Sequence, residues 1–245
     1  MAGGTGSGLT CALIEAIREL YPKNYIVTTS VWPRSMGETC LQYYNTCLSI
    51  PKIQENADAV LLYENDKIAN ILNKYPKAIL SQLFTMSHIN EYIGLGVQQA
   101  LAPTAESTFD FMSLMDLACC PMFKFLECDI WPFTYEHKAM TGSEEQWLDI
   151  FEKCTNSVLI PRQSKTGFSY TKSDIKHKSI AIRAQLKGLN VNKELYMNNG
   201  MLYGKIKGMV DMPYKMVDWN PDGLYLKTYN MRPFNSLVVC VEYEL

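Results

Sequence analysis

The 245-residue sequence lacks the features that mark several classes of protein. It contains no apolar run of the roughly 18 residues that a membrane span needs, and no basic N-terminal segment followed by an apolar stretch. Its formal net charge of -2 offers no general attraction for nucleic acid or anionic lipid. We therefore expect neither a nucleic-acid partner nor a membrane partner, and a cytoplasmic or nuclear location.

Metal ligands are also scarce. The chain has three histidines and eight cysteines, and no two cysteines form a C-x-x-C pair. Thiols scattered in this way suit neither a zinc motif nor a disulfide framework, so we expect free, mostly buried thiols and no structural metal. What remains, 47% hydrophobic and 20% charged residues, is the composition of a globular protein.

Glycine is concentrated near the N-terminus, in the run Gly3-Gly4-Thr5-Gly6-Ser7-Gly8. The residues after it, Leu9, Leu13, Ile14, Ile17 and Leu20, predict an amphipathic helix that ends near Tyr21 and Pro22. A glycine loop that opens onto a helix can offer backbone N–H groups and the positive end of the helix dipole to an anion. The spacing is neither G-x-x-x-x-G-K-[ST] nor G-x-G-x-x-G. From the residues alone, the run is either a phosphate-binding loop or simply a turn.

The rest of the chain alternates strands and helices, which is typical of an α/β protein. The predicted strands are residues 25–31, 59–63, 123–130, 179–186, 225–229 and 237–243. The predicted helices are residues 38–47, 50–55, 65–72, 86–101, 144–154 and 191–197, and residues 160–178 are predicted to form a long surface loop. The continuous apolar character of residues 59–63 favours a parallel sheet that is covered on both faces.

Several short motifs, taken in order, resemble the tubulin superfamily. The segment from Ala2 to Gly8 is similar to the loop G-G-G-T-G-S-G of tubulins and FtsZ, and differs from it only at the first position. Further motifs follow in the family's order: Ser30-Val31-Trp32-Pro33, Tyr44-Asn45, Glu55-Asn56-Ala57-Asp58 and Glu64-Asn65-Asp66. Within the superfamily, the delta-tubulin branch is the most similar. The resemblance is clear as far as Ile130 and weaker beyond it.

This resemblance implies a tubulin/FtsZ-like GTP-binding domain, in which a parallel sheet carries helices on both faces, and a second α/β domain with a mixed sheet. We assign residues 1–85 to the C-terminal half of the GTPase domain, 86–102 to a central connecting helix and 103–245 to the second, intermediate domain. Only Met1 and Ala2 precede the glycine loop, and residues 237–245 end as a strand. We therefore expect a chain that is truncated at both ends and that, alone, is insoluble or binds GTP very weakly.

The resemblance also implies a guanine-nucleotide site. An asparagine amide can both donate to and accept from the edge of guanine. Two of the implied contacts have another interpretation. Glu38, implied to contact the ribose, could instead be an acid favoured by a helix N-terminus, and Asn65, implied to contact the base, could instead be a helix cap. The ligand implied is GTP, and the ligands of any Mg²⁺ are expected upstream of this chain. The implied contacts are Gly3, Gly4, Thr5, Gly6 and Ser7 with the phosphates, Glu38 and Gln42 with the ribose, and Asn65, Asn90 and Met86 with the base.

Hydrolysis is less supported than binding. In tubulins the catalytic acid acts across an assembly interface, and its position corresponds here to Met112, with Asp110 and Asp116 out of register. Methionine cannot accept a hydrogen bond from the attacking water in the way a carboxylate does, so no catalytic residue is assigned.

The function implied is that of a GTP-binding cytoskeletal protein of microtubules, centrioles, basal bodies and cilia, with other tubulins or centriolar proteins as partners. One alternative is a structural or interaction protein that keeps this fold without binding nucleotide. Another is a different divergent GTPase related to tubulin or FtsZ.

Overall fold

A computed structural model describes residues 1–33, 40–74, 85–101, 124–131, 148–149, 151, 179–187, 204–208, 216–229 and 236–243. The chain forms two compact units, Met1–Val97 with Met112–Glu127, and Gln98–Phe111 with Cys128–Leu245. The helices are α1 (Gly4–Leu20), α2 (Gln42–Asn56), α3 (Asn65–Lys74) and α4 (Met86–Leu101). The strands are β1 (Val27–Trp32), β2 (Ala59–Glu64), β3 (Phe125–Trp131), β4 (Ser179–Lys187), β5 (Leu224–Tyr229) and β6 (Ser236–Tyr243). Among the described helices, none combines the length and the apolar character that crossing a membrane requires.

In the first unit, β2 lies between two parallel neighbours. The pairing of β1 with β2 runs from Val27 opposite Ala59 to Trp32 opposite Glu64. On the other side of β2, Val60–Leu62 pair with Phe125–Glu127 at the start of β3. All five residues of Ala59–Tyr63 are buried, as the continuous apolar run predicted.

Helices cover both faces of this sheet. Val60 belongs to a buried cluster with Ile14 of α1 and Ile53 of α2. Side chains alternate along a strand, so Tyr63, three residues later, lies on the opposite face. There it meets α4, where a Cβ placed on Gly96 would lie 2.9 Å from the Tyr63 hydroxyl oxygen. The predicted parallel sheet with helices on both faces is therefore confirmed.

Helix α1 ends where the sequence predicts, but it buries a different face. Tyr21, just before Pro22, has φ -130° and ψ 66°, which is not helical. Of the predicted apolar face, Ile14 is buried whereas Leu9, Leu13 and Leu20 are 66%, 56% and 73% exposed. The exposure of these leucines follows from the position of α2, which packs against the side of α1 that carries Cys11 and Ile14.

Helix α2 is a single helix, although the sequence predicts two. Cys40 and Leu41 form a turn, and the helix then continues from Gln42 through Pro51 to Asn56. A proline inside a helix removes one backbone hydrogen bond, which is why a break was predicted. Distant cations bind the end of the helix beyond the proline. The Lys124 amine donates to the Gln54 and Ala57 carbonyls at 2.6 and 2.8 Å.

In the second unit, β4 is paired on both sides. It runs parallel to β5, with Ile182 opposite Leu224, and antiparallel to β6, with Leu186 opposite Leu237. The predicted strands 179–186, 225–229 and 237–243 are confirmed to within one residue at each end. Residues 204–208 form a short helical turn that the sequence does not predict. The predicted helices 144–154 and 191–197 and the loop 160–178 lie wholly or largely outside the described residues.

Candidate functional site

The two helices on one face of the first sheet, α1 and α2, lie side by side and run in the same direction. Their contacts advance in step along both helices: Asn45 Nδ2 to the Ala2 carbonyl at 3.2 Å, Cys11 Sγ to the Ser49 carbonyl at 3.8 Å, Lys52 Nζ to Glu15 Oε1 at 3.2 Å, and Arg18 Nη2 to the Asn56 carbonyl at 2.7 Å. Because α2 connects the carboxyl end of β1 to the amino end of β2, its N-terminus lies at the carboxyl edge of the sheet. The N-terminus of α1 therefore lies at the same edge.

A third element starts at this edge. Helix α3 follows β2 directly and begins at Asn65. Gly3–Ser7, Gln42 and Asn65 are thus brought to the carboxyl edge of the parallel strands by three different helices. In open α/β sheets this is the edge at which ligands bind.

The glycine-rich segment is more helical than the sequence predicts. Helix α1 begins at Gly4, and Gly3, with φ -71° and ψ 157°, is its extended N-cap residue with no side-chain capping bond. The N–H groups of the first turn, from Gly4 onward, therefore have no acceptor within the helix. Apart from the adjoining residues and the helix's own backbone, no heavy atom of the described residues lies within 4 Å of a Cβ placed on Gly3, Gly4 or Gly6, and all three residues are exposed. The result is an open helix N-terminus with the geometry and partial positive charge that suit an anion.

Ser7 occupies the inner side of this first turn. It is buried, and its hydroxyl donates to the Gly3 carbonyl and, at 3.0 Å, to the Gly4 carbonyl. The hydroxyl is thus used to fasten the turn, and the Ser7 N–H faces the Gly3 carbonyl four residues back, so the N–H groups of the first turn left for an anion are those of Gly4, Thr5 and Gly6. Thr5, by contrast, is exposed.

Of the two residues predicted to contact ribose, Gln42 belongs to the described part of the chain. Gln42 is the first residue of α2 and is 7% exposed. Its carbonyl accepts a hydrogen bond from Thr46 Oγ1 at 2.8 Å. Glu38 lies outside the described residues, as does Met112.

The residues predicted to contact the base lie on α3 and α4. Asn65 is half-buried, whereas Asn90 and Met86 are exposed, and Met86 is 51% exposed. Helix α4 packs on Tyr63, two residues before Asn65, so both asparagines are carried by helices that contact the same end of β2. Within the described part of the chain, no hydrogen bond engages either asparagine side chain.

Ion pairs fix the opposite end of α1 and had no local signal in the sequence. Arg18 Nη2 lies 2.6 Å from Asp58 Oδ2, and the same carboxylate oxygen accepts the Ile26 N–H at 2.7 Å. Nearer the middle of α1, the Glu15 carboxylate accepts a hydrogen bond from Lys52 and raises the pKa of that amine above its ordinary value. Partners some forty positions apart cannot be recognised from spacing, so the sequence analysis missed them.

Among the described residues, no group of three or more His, Cys, Asp or Glu side chains could hold a metal ion. Four of the cysteines lie in these ranges, and their thiols are free: Cys11, Cys40, Cys47 and Cys128.

Comparison with known proteins agrees with this geometry. Residues 1–73, which contain α1, β1, α2, β2 and most of α3, match the GTPase domain of the Tubulin/FtsZ family. The gamma chain of tubulin from Saccharomyces cerevisiae is 30% identical over 179 residues, which cover 69% of this chain and 37% of the relative. The delta chain from Macaca fascicularis is 26% identical over 215 residues, 82% of this chain and 44% of the relative. The delta chain from Homo sapiens is 34% identical over 113 residues, 45% of this chain and 24% of the relative.

The family match identifies the class of domain: the first unit contains a GTPase domain of the Tubulin/FtsZ type. The chain belongs to the tubulin superfamily and is related to both gamma and delta tubulins. It spans less than half the length of each of these relatives.

Proposed function

We propose that the chain binds a guanine nucleotide, GTP, at the carboxyl edge of its parallel sheet. The observation that carries the proposal is the open N-terminus of α1, which lies in the segment that matches the GTPase domain of the family. Gly3, Gly4 and Gly6 leave its first turn uncovered, so a phosphate could approach the backbone N–H groups closely.

The base would be recognised by the two asparagines. Asn65 and Asn90 have no hydrogen-bond partner among the described residues, so their amides can pair with the carbonyl, imino and amino groups of guanine. Adenine presents the opposite pattern of donors and acceptors, so the pair would favour GTP over ATP. Met86, half-exposed at the start of α4, would pack against the purine through its polarizable thioether.

The ribose would lie between these two parts of the site, near the start of α2. Glu38 and Gln42 are our candidates for its hydroxyl groups. A carboxylate or amide that accepts from two adjacent hydroxyl groups would distinguish ribose from deoxyribose. Mg²⁺ is implied by the family, and we assign it no ligand in this chain.

The biological role we propose is that of a GTP-binding subunit of the tubulin cytoskeleton. Similarity to delta chains supports a place at centrioles, basal bodies or cilia, with other tubulins or centriolar proteins as partners and a location in the cytoplasm or nucleus. Similarity to gamma chains supports a more general role with microtubules. We also propose that residues 86–102 connect the GTPase domain to a second, intermediate domain.

The test compares two asparagines of one helix. Asn65→Ala removes a proposed base contact, and Asn70→Ala changes an exposed asparagine five residues further along α3. We expect Asn65→Ala to weaken GTP binding by about tenfold, the usual cost of a lost hydrogen bond to a recognised group, and Asn70→Ala to leave it unchanged. Equilibrium binding of radiolabelled GTP, with ATP as competitor, measures this. A wild-type chain that binds neither nucleotide would favour the structural or interaction protein instead.

A further inference from the structure

We propose that Asn45 is a positioning residue for the phosphate-binding turn of α1. The inference rests on the nucleotide site proposed above and deepens it. Asn45 lies in the first turn of α2 and is half-buried. Its side-chain amide donates instead to the carbonyl of Ala2, the residue immediately before Gly3, at 3.2 Å.

This hydrogen bond fixes the direction of a peptide group. In a trans peptide, the C=O of one residue and the N–H of the next point in opposite directions. Holding the Ala2 carbonyl against α2 therefore turns the Gly3 N–H away from α2. The next peptide is fixed in the same way, because Ser7 Oγ holds the Gly3 carbonyl and leaves the Gly4 N–H directed out of the helix end.

The neighbouring contacts indicate that α2 restrains the backbone just before the glycines. Ser49, one turn after Asn45, bonds the Asn45 carbonyl at 2.6 Å and reaches the Met1 carbonyl at 3.4 Å. Cys11 of α1 in turn lies 3.8 Å from the Ser49 carbonyl. The Ala2 carbonyl is thus held by Asn45, and the Met1 carbonyl before it lies at the limit of hydrogen-bond distance from Ser49, one turn further along the same helix. Glycine has the greatest backbone freedom of any residue, so a segment rich in glycine needs such an external hold to keep its N–H groups aligned.

Nucleotide binding distinguishes this role from a general contribution to stability. Asn45→Ala and Asn45→Leu both remove the donor, and the leucine keeps most of the side-chain volume. The matched control is Asn56→Ala, because Asn56 lies on the same helix and donates its amide to the Lys52 carbonyl at 3.0 Å, far from the glycines. The readout is the ratio of the dissociation constants for guanosine and GTP, because guanosine lacks the phosphates that the turn would hold.

We expect both Asn45 variants to bind GTP about five- to tenfold more weakly and guanosine as the wild type does, while Asn56→Ala keeps the wild-type ratio. A wild-type ratio in both Asn45 variants would overturn the inference and leave the proposed nucleotide site standing. An equal fold loss in affinity for guanosine and for GTP leaves this ratio unchanged and would also overturn the inference, since Asn45 would then act through the fold as a whole. A wild-type chain that binds no GTP would overturn the site and the inference together.

Discussion

The contact between Gly96 and Tyr63 allows a quantitative prediction about how α4 packs on the sheet. A Cβ added to Gly96 would lie 2.9 Å from the Tyr63 hydroxyl oxygen, whereas nothing lies within 4 Å of a Cβ added to Gly94 in the same helix. Ordinary contacts between nonbonded heavy atoms are about 3.5–4.0 Å, so Gly96→Ala forces a displacement of roughly half an ångström or more. Tyr63 is 2% exposed and has little room to move.

The contact with Tyr63 sets the expected difference in stability between the two substitutions. Replacing glycine by alanine inside a helix stabilises by about 1 kcal/mol, so Gly94→Ala is expected to raise the free energy of unfolding by that amount. Overpacking a buried site costs about 1–3 kcal/mol. Gly96→Ala is therefore expected to be less stable than Gly94→Ala by about 1–3 kcal/mol.

Urea unfolding followed by circular dichroism measures both variants, and Tyr63→Phe supplies the decisive comparison. Without the hydroxyl, the nearest ring atoms lie 3.4 and 3.5 Å from the added Cβ, close to ordinary contact. The cost of Gly96→Ala should then largely disappear, while the effect of Gly94→Ala should be the same in both backgrounds. If Gly96→Ala stabilised as much as Gly94→Ala, or if Tyr63→Phe gave no rescue, the packing described for α4 would be refuted.

Two further predictions concern other parts of the fold. Arg18→Ala should lower the free energy of unfolding by about 1–3 kcal/mol, because it removes hydrogen bonds to the Asn56 carbonyl and leaves the half-buried Asp58 without its cation. Replacing the exposed Lys52 by alanine should change the free energy of unfolding much less than Arg18→Ala does in the same urea unfolding assay, and equal effects would contradict the burial of the Arg18 pair. Gly223→Ala should destabilise the second unit, because the added Cβ would lie 2.7 Å from the Ile180 carbonyl oxygen, whereas Gly208→Ala meets nothing within 4 Å. Hydrogen exchange of the β4 amides reports the difference, and equal protection in the two variants would argue against this close approach.

The parts of the fold that the sequence predicts best are those set by local pattern. The continuous apolar run Ala59–Tyr63 predicted β2, and the predicted bounds of α4 agree with the structure at both ends. The face that α1 buries could not be predicted, because Leu9 and Leu13 are as apolar as Ile14 and only the position of α2 decides between them. Beyond Pro51, α2 is bonded to Lys124, some seventy positions away along the chain, and no local pattern indicates such a contact.

The candidate site shows the same division between features that come from local sequence and features that come from packing. The roles of the glycine-rich segment and of Asn65 and Asn90 come from the family resemblance of the sequence, and they stay predictions. The start of α1 at Gly4 could not, since glycine is a poor helix former and favours a loop prediction. The inward hydroxyl of Ser7 and the hold of Asn45 on Ala2 are properties of packing, and no spacing in the sequence indicates them.

The central claim is that the carboxyl edge of the first sheet binds a guanine nucleotide. Isothermal titration calorimetry of the wild-type chain with GTP, and separately with ATP, tests it most directly. We predict weak but saturable binding of GTP with a stoichiometry near one, as expected for a single site, and no measurable heat of binding with ATP. The absence of GTP binding, or equal affinity for the two nucleotides, would contradict the account.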